Sequence, residues 1–197
     1  MARTVDPERH AARRMQIIDA ALTRFSEDGY EGATTASICR EAGIGSGTFF
    51  HYFPTKIALL LALLELGTAD TRAWFGEQGG RADAAQVIDD WVAHNIEMFS
   101  DRRLAGFVRA VSAVMTESVV AEALSLDESG QREGLRPWLE LAQKAGQVRG
   151  DLAADRLSNW VFLLIDGFVA RLATDPRFDP VQEAPVLRDA VTRLLAP

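Results

Sequence analysis

Ser46, Gly47, Thr48, His51 and Tyr52 fall within one short stretch, and Lys56 follows shortly after. The side chains are small or hydrogen-bonding, and no carboxylate stands among them. Such a set can donate to and accept from base edges and phosphate oxygens, which is nucleic-acid chemistry rather than acid–base or metal chemistry. Ser46, Gly47 and Thr48 are assigned to bases, Thr35, Tyr52 and Lys56 to phosphates, and His51 to either. Lys56 falls in the first turn of a following helix, where a cation is electrostatically disfavoured. An outside anion such as a DNA phosphate would give it a reason.

Short elements must hold these groups. Thr34 or Thr35 can cap a helix that carries Ile38 and Ala42 on its buried side. Gly43 supplies a left-handed stop, Ile44 pins the turn, and Gly45 frees the backbone for a sharp reversal. The next helix runs from about Ser46 to Tyr52, with Phe49, Phe50 and Phe53 available for packing against the first. Two short helices across a tight glycine-containing turn make a helix-turn-helix.

At these residues the chain resembles the DNA-binding domain of the tetracycline-repressor (TetR) family of transcriptional regulators. The resemblance rests on Thr34-Thr35, Ile38, Ala42-Gly43-Ile44, Ser46-Gly47-Thr48, the cluster Phe49-Phe50-His51-Tyr52-Phe53, and Lys56. It departs from many members at Gly45, where they carry Ser, and at Phe50, where they carry Tyr; without the hydroxyl, Phe50 is left to packing. The resemblance implies an all-α fold: an N-terminal three-helix helix-turn-helix DNA-binding domain (residues 1–56) and a C-terminal helical ligand-binding and dimerisation domain (57–197). It also implies a homodimer that binds double-stranded DNA at a palindromic operator and represses transcription until a small molecule releases it.

Composition agrees with a soluble globular chain of 197 residues, 48% hydrophobic and 25% charged. The net charge of −7 seems unsuited to DNA, but it is unevenly placed. Residues 1–56 hold seven basic and seven acidic side chains, which leaves 14 basic and 21 acidic residues in the body. A single cysteine, Cys39, excludes an internal disulfide and fits the cytoplasm, with a small packed residue favoured over a redox sensor. No signal-like apolar segment opens the chain, and no membrane partner is expected. Arg3 and Arg9 could reach a minor groove as an arm; a solvated tail is the competing reading.

Along the chain, Met15, Ile18, Leu22 and Phe25 mark a first helix over about residues 10–27, ended by Gly29. Residues 56–75 read as a long fourth helix, apolar all round from Ile57 to Leu64 and therefore covered on both sides. A tilt of this helix would move Lys56 and the reading head together. Further helices are expected over about 83–100, 102–115 with a short segment to 124, 127–145, 155–174 and 184–195. Pro137 implies a kink or a helix start.

The consecutive apolar residues of the 155–174 helix call for a second covering surface. The resemblance, in which the last two helices pair with their symmetry mates, implies a dimer seam on 155–195 with Trp160, Val161, Leu164, Phe168, Leu187, Val191 and Leu194 as its candidates. A fully internal helix is the competing reading. Trp74, Trp91, His94, Met98, Phe107, Trp138 and Phe168 are candidates for an effector pocket, with Asn95 and Arg109 as further polar groups; their apolar bulk implies a largely apolar effector. Aromatics at helical spacing equally serve a core.

No cofactor and no metal are expected: His94 and Glu97 form an isolated HxxE, and Asp89-Asp90 lacks partners. Hydrolase and nucleotide-binding motifs are absent. An all-helical small-molecule-binding protein or enzyme using the aromatic body is the rival reading, and it leaves residues 34–56 without a purpose.

Overall fold

A computed structural model describes residues 6–197, so Arg3 of the suggested arm lies outside the described residues. Among these residues the chain forms helices and no strand: α1 Pro7–Gly32, α2 Thr35–Glu41, α3 Ser46–Tyr52, α4 Lys56–Glu77, α5 Ala84–Met98, α6 Leu104–Ser112, α7 Ser118–Lys144, α8 Ala154–Thr174 and α9 Pro180–Leu195.

Asp6 caps α1 by accepting from the N–H groups of Glu8 and Arg9, and Pro7 occupies the first helical turn, where its missing N–H costs nothing. The helical path breaks at Gly29, whose φ of 70° suits glycine, before a last turn to Gly32. Ile17, Ile18, Ala21 and Phe25 line the inward face of α1. They share one hydrophobic core with Ile38 of α2, Phe49 of α3 and Leu59 and Leu60 of α4. The same core continues into the body through Ala110 and Val111 of α6 and Val120 of α7. A second core joins Trp91 of α5, Leu135 and Leu139 of α7, Leu157, Val161 and Ile165 of α8, and Leu187 and Val191 of α9.

The all-round apolarity of α4 follows from serving both cores: Leu59 and Leu60 face the first, while Trp74 and Phe75 pack on the second. α4 meets α7 closely because Gly134 leaves room; a Cβ there would stand 2.2 Å from the Phe75 ring. The expected break between residues 124 and 127 does not occur, and α7 runs unbroken from Ser118. Asp127 holds this stretch against α4 by accepting from Thr68 Oγ1 (3.1 Å) and from Gln131 Nε2 one turn on (2.7 Å). Pro137 lies inside α7, on its exposed side, where water can satisfy the carbonyl that the missing N–H leaves free. α9 starts earlier than expected because Asp179 caps it and Pro180 opens it.

The seam residues divide between inside and outside. Val161, Phe168, Leu187 and Val191 are buried in the second core of the chain itself, and Leu164 and Leu194 pack partly against it. Trp160 alone among the seven is exposed, at 44%. A helix presents successive residues about 100° apart, so one apolar run feeds an inner and an outer side. The outer side of α8 and α9 carries Trp160, Leu163, Val181 and Val186. By length and composition α8 is also apolar enough to cross a membrane; its inner side, 33% of the apolar stretch, is buried in the second core.

Candidate nucleic-acid interface and body cavity

The reading head is set by local geometry. Thr34 is the cap of α2, its hydroxyl accepting from the Ser37 N–H at 3.1 Å. α2 ends at Gly43 with φ of 61°, and the Ile44 N–H closes the turn on the Cys39 carbonyl (2.9 Å). Gln16 of α1 donates to the carbonyl of Ala42 at 2.7 Å and fixes the turn to the spine. Phe49 and Phe53, one helical turn apart, are the buried anchors of α3. Each contributes roughly 1.5–3 kcal/mol by leaving water. Burial pushes the Cys39 thiol up, so this side chain stays protonated and inert.

That anchoring leaves Ser46, Gly47, Thr48 and His51 exposed on the outer side of α3. Thr35 and Tyr52 are half-buried, and Tyr52 lies against His10, ring centroids 4.5 Å apart. Phe50 is not packed: it is 55% exposed and touches Phe49 only edge-on. The expectation that it serves packing fails because Phe49 and Phe53 share one face, whereas Phe50 lies about 100° round the helix from Phe49. An exposed phenylalanine beside Gly47 and Thr48 suits contact with a thymine methyl.

Lys56 has an internal reason for its position as well as any outside one. Its Nζ donates to the Tyr30 carbonyl at 2.6 Å and stands 4.2 Å from the Tyr30 ring centroid. An ammonium carries three protons, so two remain for a phosphate.

The body holds a cavity of about 580 Å³ walled by α4, α5, α6, α7 and α8. Of the seven effector candidates, Met98 and Phe107 line it. Trp74, Trp91 and His94 pack on one another outside it, His94 stacked on both indoles, with ring centroids 5.0–5.6 Å apart. Trp138 packs on the second core and Phe168 is buried against Phe99 at 5.2 Å. These rings satisfy the burial demand of helix packing rather than a ligand. Asn95 lines the cavity, and Arg109 instead ties α6 to the end of α8 through the Ala173 carbonyl (3.0 Å). Sequence reasoning missed Asp127, Glu128 and Asp166 in the cavity wall. The lone carboxylate of Asp166 inside the apolar run from Val161 to Val169 was the available signal.

α6 joins cavity and head. Its Phe107 and Val108 line the cavity, while Gly106 lies so near α1 that a Cβ would stand 2.1 Å from the Ser26 carbonyl oxygen. Arg103, at its N-terminal end, pairs with Asp19 of α1 at 2.7 Å.

Residues 17–63 match the family model described as bacterial regulatory proteins, tetR family. The chain is 31% identical over 188 residues to the HTH-type transcriptional repressor Rv1474c of Mycobacterium tuberculosis, covering 93% of both chains. Its fold is similar to that of a TetR transcription regulator from Haloarcula marismortui (TM-score 0.82, 16% identity, covering 94% of this chain and 97% of that one). FadR from Bacillus subtilis, solved in complex with stearoyl-CoA, is similar at a TM-score of 0.74 and 22% identity, covering 92% of this chain and 98% of that one.

Proposed function

Since the chain belongs to the TetR family of helix-turn-helix transcriptional regulators and is not an enzyme, we propose that it is a cytoplasmic repressor that binds a palindromic operator as a homodimer and is released by a small, largely apolar effector. The observation that carries this reading is α3: two buried phenylalanines lock it to α1 and α2, and its outer side offers Ser46, Gly47, Thr48 and His51 without a carboxylate. Ser46, Gly47, Thr48 and Phe50 would meet base edges, and Thr35, Tyr52 and Lys56 phosphates. In this reading residues 1–56 are the reading unit and 57–197 the effector and dimerisation unit.

One short helix discriminates only a few base pairs. Two related by a two-fold axis read a palindrome with half-sites about one helical turn apart, roughly 34–36 Å. The exposed apolar residues Trp160, Leu163, Val181 and Val186 support a dimer seam on α8 and α9. The proposed switch runs from the cavity to the head along α4 and α6. α4 carries Leu64 in the cavity wall and Lys56 at the head, and α6 bears on α1 at Ser26 and Asp19. FadR shows that a chain of this fold accommodates a ligand with a long apolar tail.

Selection of bound duplexes from a random oligonucleotide pool tests the reading. An enriched palindrome is expected. A motif without two-fold symmetry would remove the dimer, and no enrichment would remove the regulator.

A further inference from the structure

The body cavity pairs an apolar wall with unbalanced negative charge. Phe107 and Phe162 contribute aromatic faces, and Asp127, Glu128 and Asp166 contribute carboxylates, while no Lys, Arg or His lines it among the described residues. Glu128 accepts from Arg132 Nη1 at 3.0 Å and is thereby partly offset. Asp127 is held by two neutral donors, Thr68 Oγ1 and Gln131 Nε2, which orient it and leave its charge in place. Asp166 stands at the solvent-open rim on α8. Desolvation there, with the negative charge of Glu128 added, pushes its carboxyl above the ordinary carboxylate range.

The wall also carries neutral polar groups. Asn95 is 6% exposed and lines the cavity. Its Nδ2 is used on the Trp91 carbonyl (2.8 Å), and no donor among the described residues meets its Oδ1. Gln131 Nε2 is likewise used on Asp127. Each amide keeps one N–H and its carbonyl oxygen, so the amides alone accept either sign. The three carboxylates without a lining cation make a donor-bearing, positively charged group complementary and an anion not. Aromatic faces add to that preference through cation–π attraction.

We infer that this cavity takes an amphipathic organic cation, an ammonium group carried on an apolar body, an inference that rests on the effector reading above and names the chemical class of the effector. The ammonium sits between Asp127 and Asp166 with Asn95 Oδ1 as a further acceptor. The apolar body lies along α6 and α8. Binding offsets the negative charge that α7 and α8 bring to the cavity, where Glu128 already acts on Asp166, and draws those helices together.

Isothermal titration of the purified full-length protein at neutral pH with decylamine, decanol and decanoate, all below micelle formation, separates headgroup charge from the shared tail. Decylammonium is expected to bind at least roughly tenfold more tightly than decanol, with decanoate weakest. Asp166→Asn and Asp127→Asn are each expected to lower the decylammonium affinity by roughly five- to tenfold and to leave that of decanol unchanged. The wild-type headgroup series is decisive on its own should either variant fold poorly. Decanol or decanoate binding as tightly as decylammonium overturns the cation inference and leaves an apolar effector cavity standing. Absence of binding by all three overturns both.

Discussion

In the reading head every candidate contact comes from one unbroken stretch, Thr35 to Lys56, whereas the walls of the body cavity come from five helices. The head obeys local rules: Thr34 and Thr55 cap, Gly43 turns the chain, and Phe49 and Phe53 anchor. The cavity obeys tertiary ones. Gly134 lets α7 approach α4, Gly106 lets α6 approach α1, and the space left over among the bodies of the helices becomes the site. A surface reader is therefore specified by spacing in the chain, and a pocket by which faces happen not to be filled.

The largest expected effect separates two adjacent side chains of the head. Phe49→Ala should cost about 3–5 kcal/mol in urea denaturation, because it empties a fully buried site. Phe50→Ala should stay within about 0.5 kcal/mol of wild type, yet lose roughly five- to tenfold in operator affinity. Equal destabilisation by both would break the claim that α3 has one face for the core and another for DNA.

Next comes the joint between the regions. Gly106→Ala sets a methyl group against a backbone carbonyl of α1, which cannot rotate away, and should cost roughly 1–3 kcal/mol in thermal unfolding. The variant should also need a different effector concentration for operator release. Unchanged stability and unchanged release would show that α6 is not the tie between cavity and head.

Thr48→Ala should shift preference at one operator position by roughly 1–3 kcal/mol, read as a base-by-base affinity profile. The smallest effect belongs to Lys56→Ala. It should weaken binding to all duplexes alike and reduce the slope of log affinity against log salt by about one. A Lys56→Ala slope equal to wild type would assign that ammonium wholly to the Tyr30 carbonyl and ring.

The legibility of the two regions differs for the same physical reason. The bounds of α3 and the stop at Gly43 follow from caps, glycine and helical period, all of which are local. Phe50 was misplaced although the four-residue spacing of Phe49 and Phe53 already assigned the inner face. The dimer candidates Val161 and Leu187 were misplaced because a continuous apolar run does not say which of its sides a neighbouring helix covers. Trp74, Trp91 and Trp138 suggested a pocket, but large rings are also the most effective core fillers, and packing used them that way. Met98, Phe107 and Asn95 were legible as cavity residues, whereas Asp166 was missed although it is a single charge inside an apolar helix.

Crosslinking from Gly47 is the most direct measurement of whether α3 faces DNA. A Cβ at this position meets nothing within 4 Å, so Gly47→Cys can carry a photo-crosslinker without disturbing the packing of α3 in the free protein. Efficient crosslinks to bases within both half-sites of the selected operator are the expected result. Crosslinks to the solvent-facing side of the duplex alone, or none while the labelled protein still binds the operator, would contradict it.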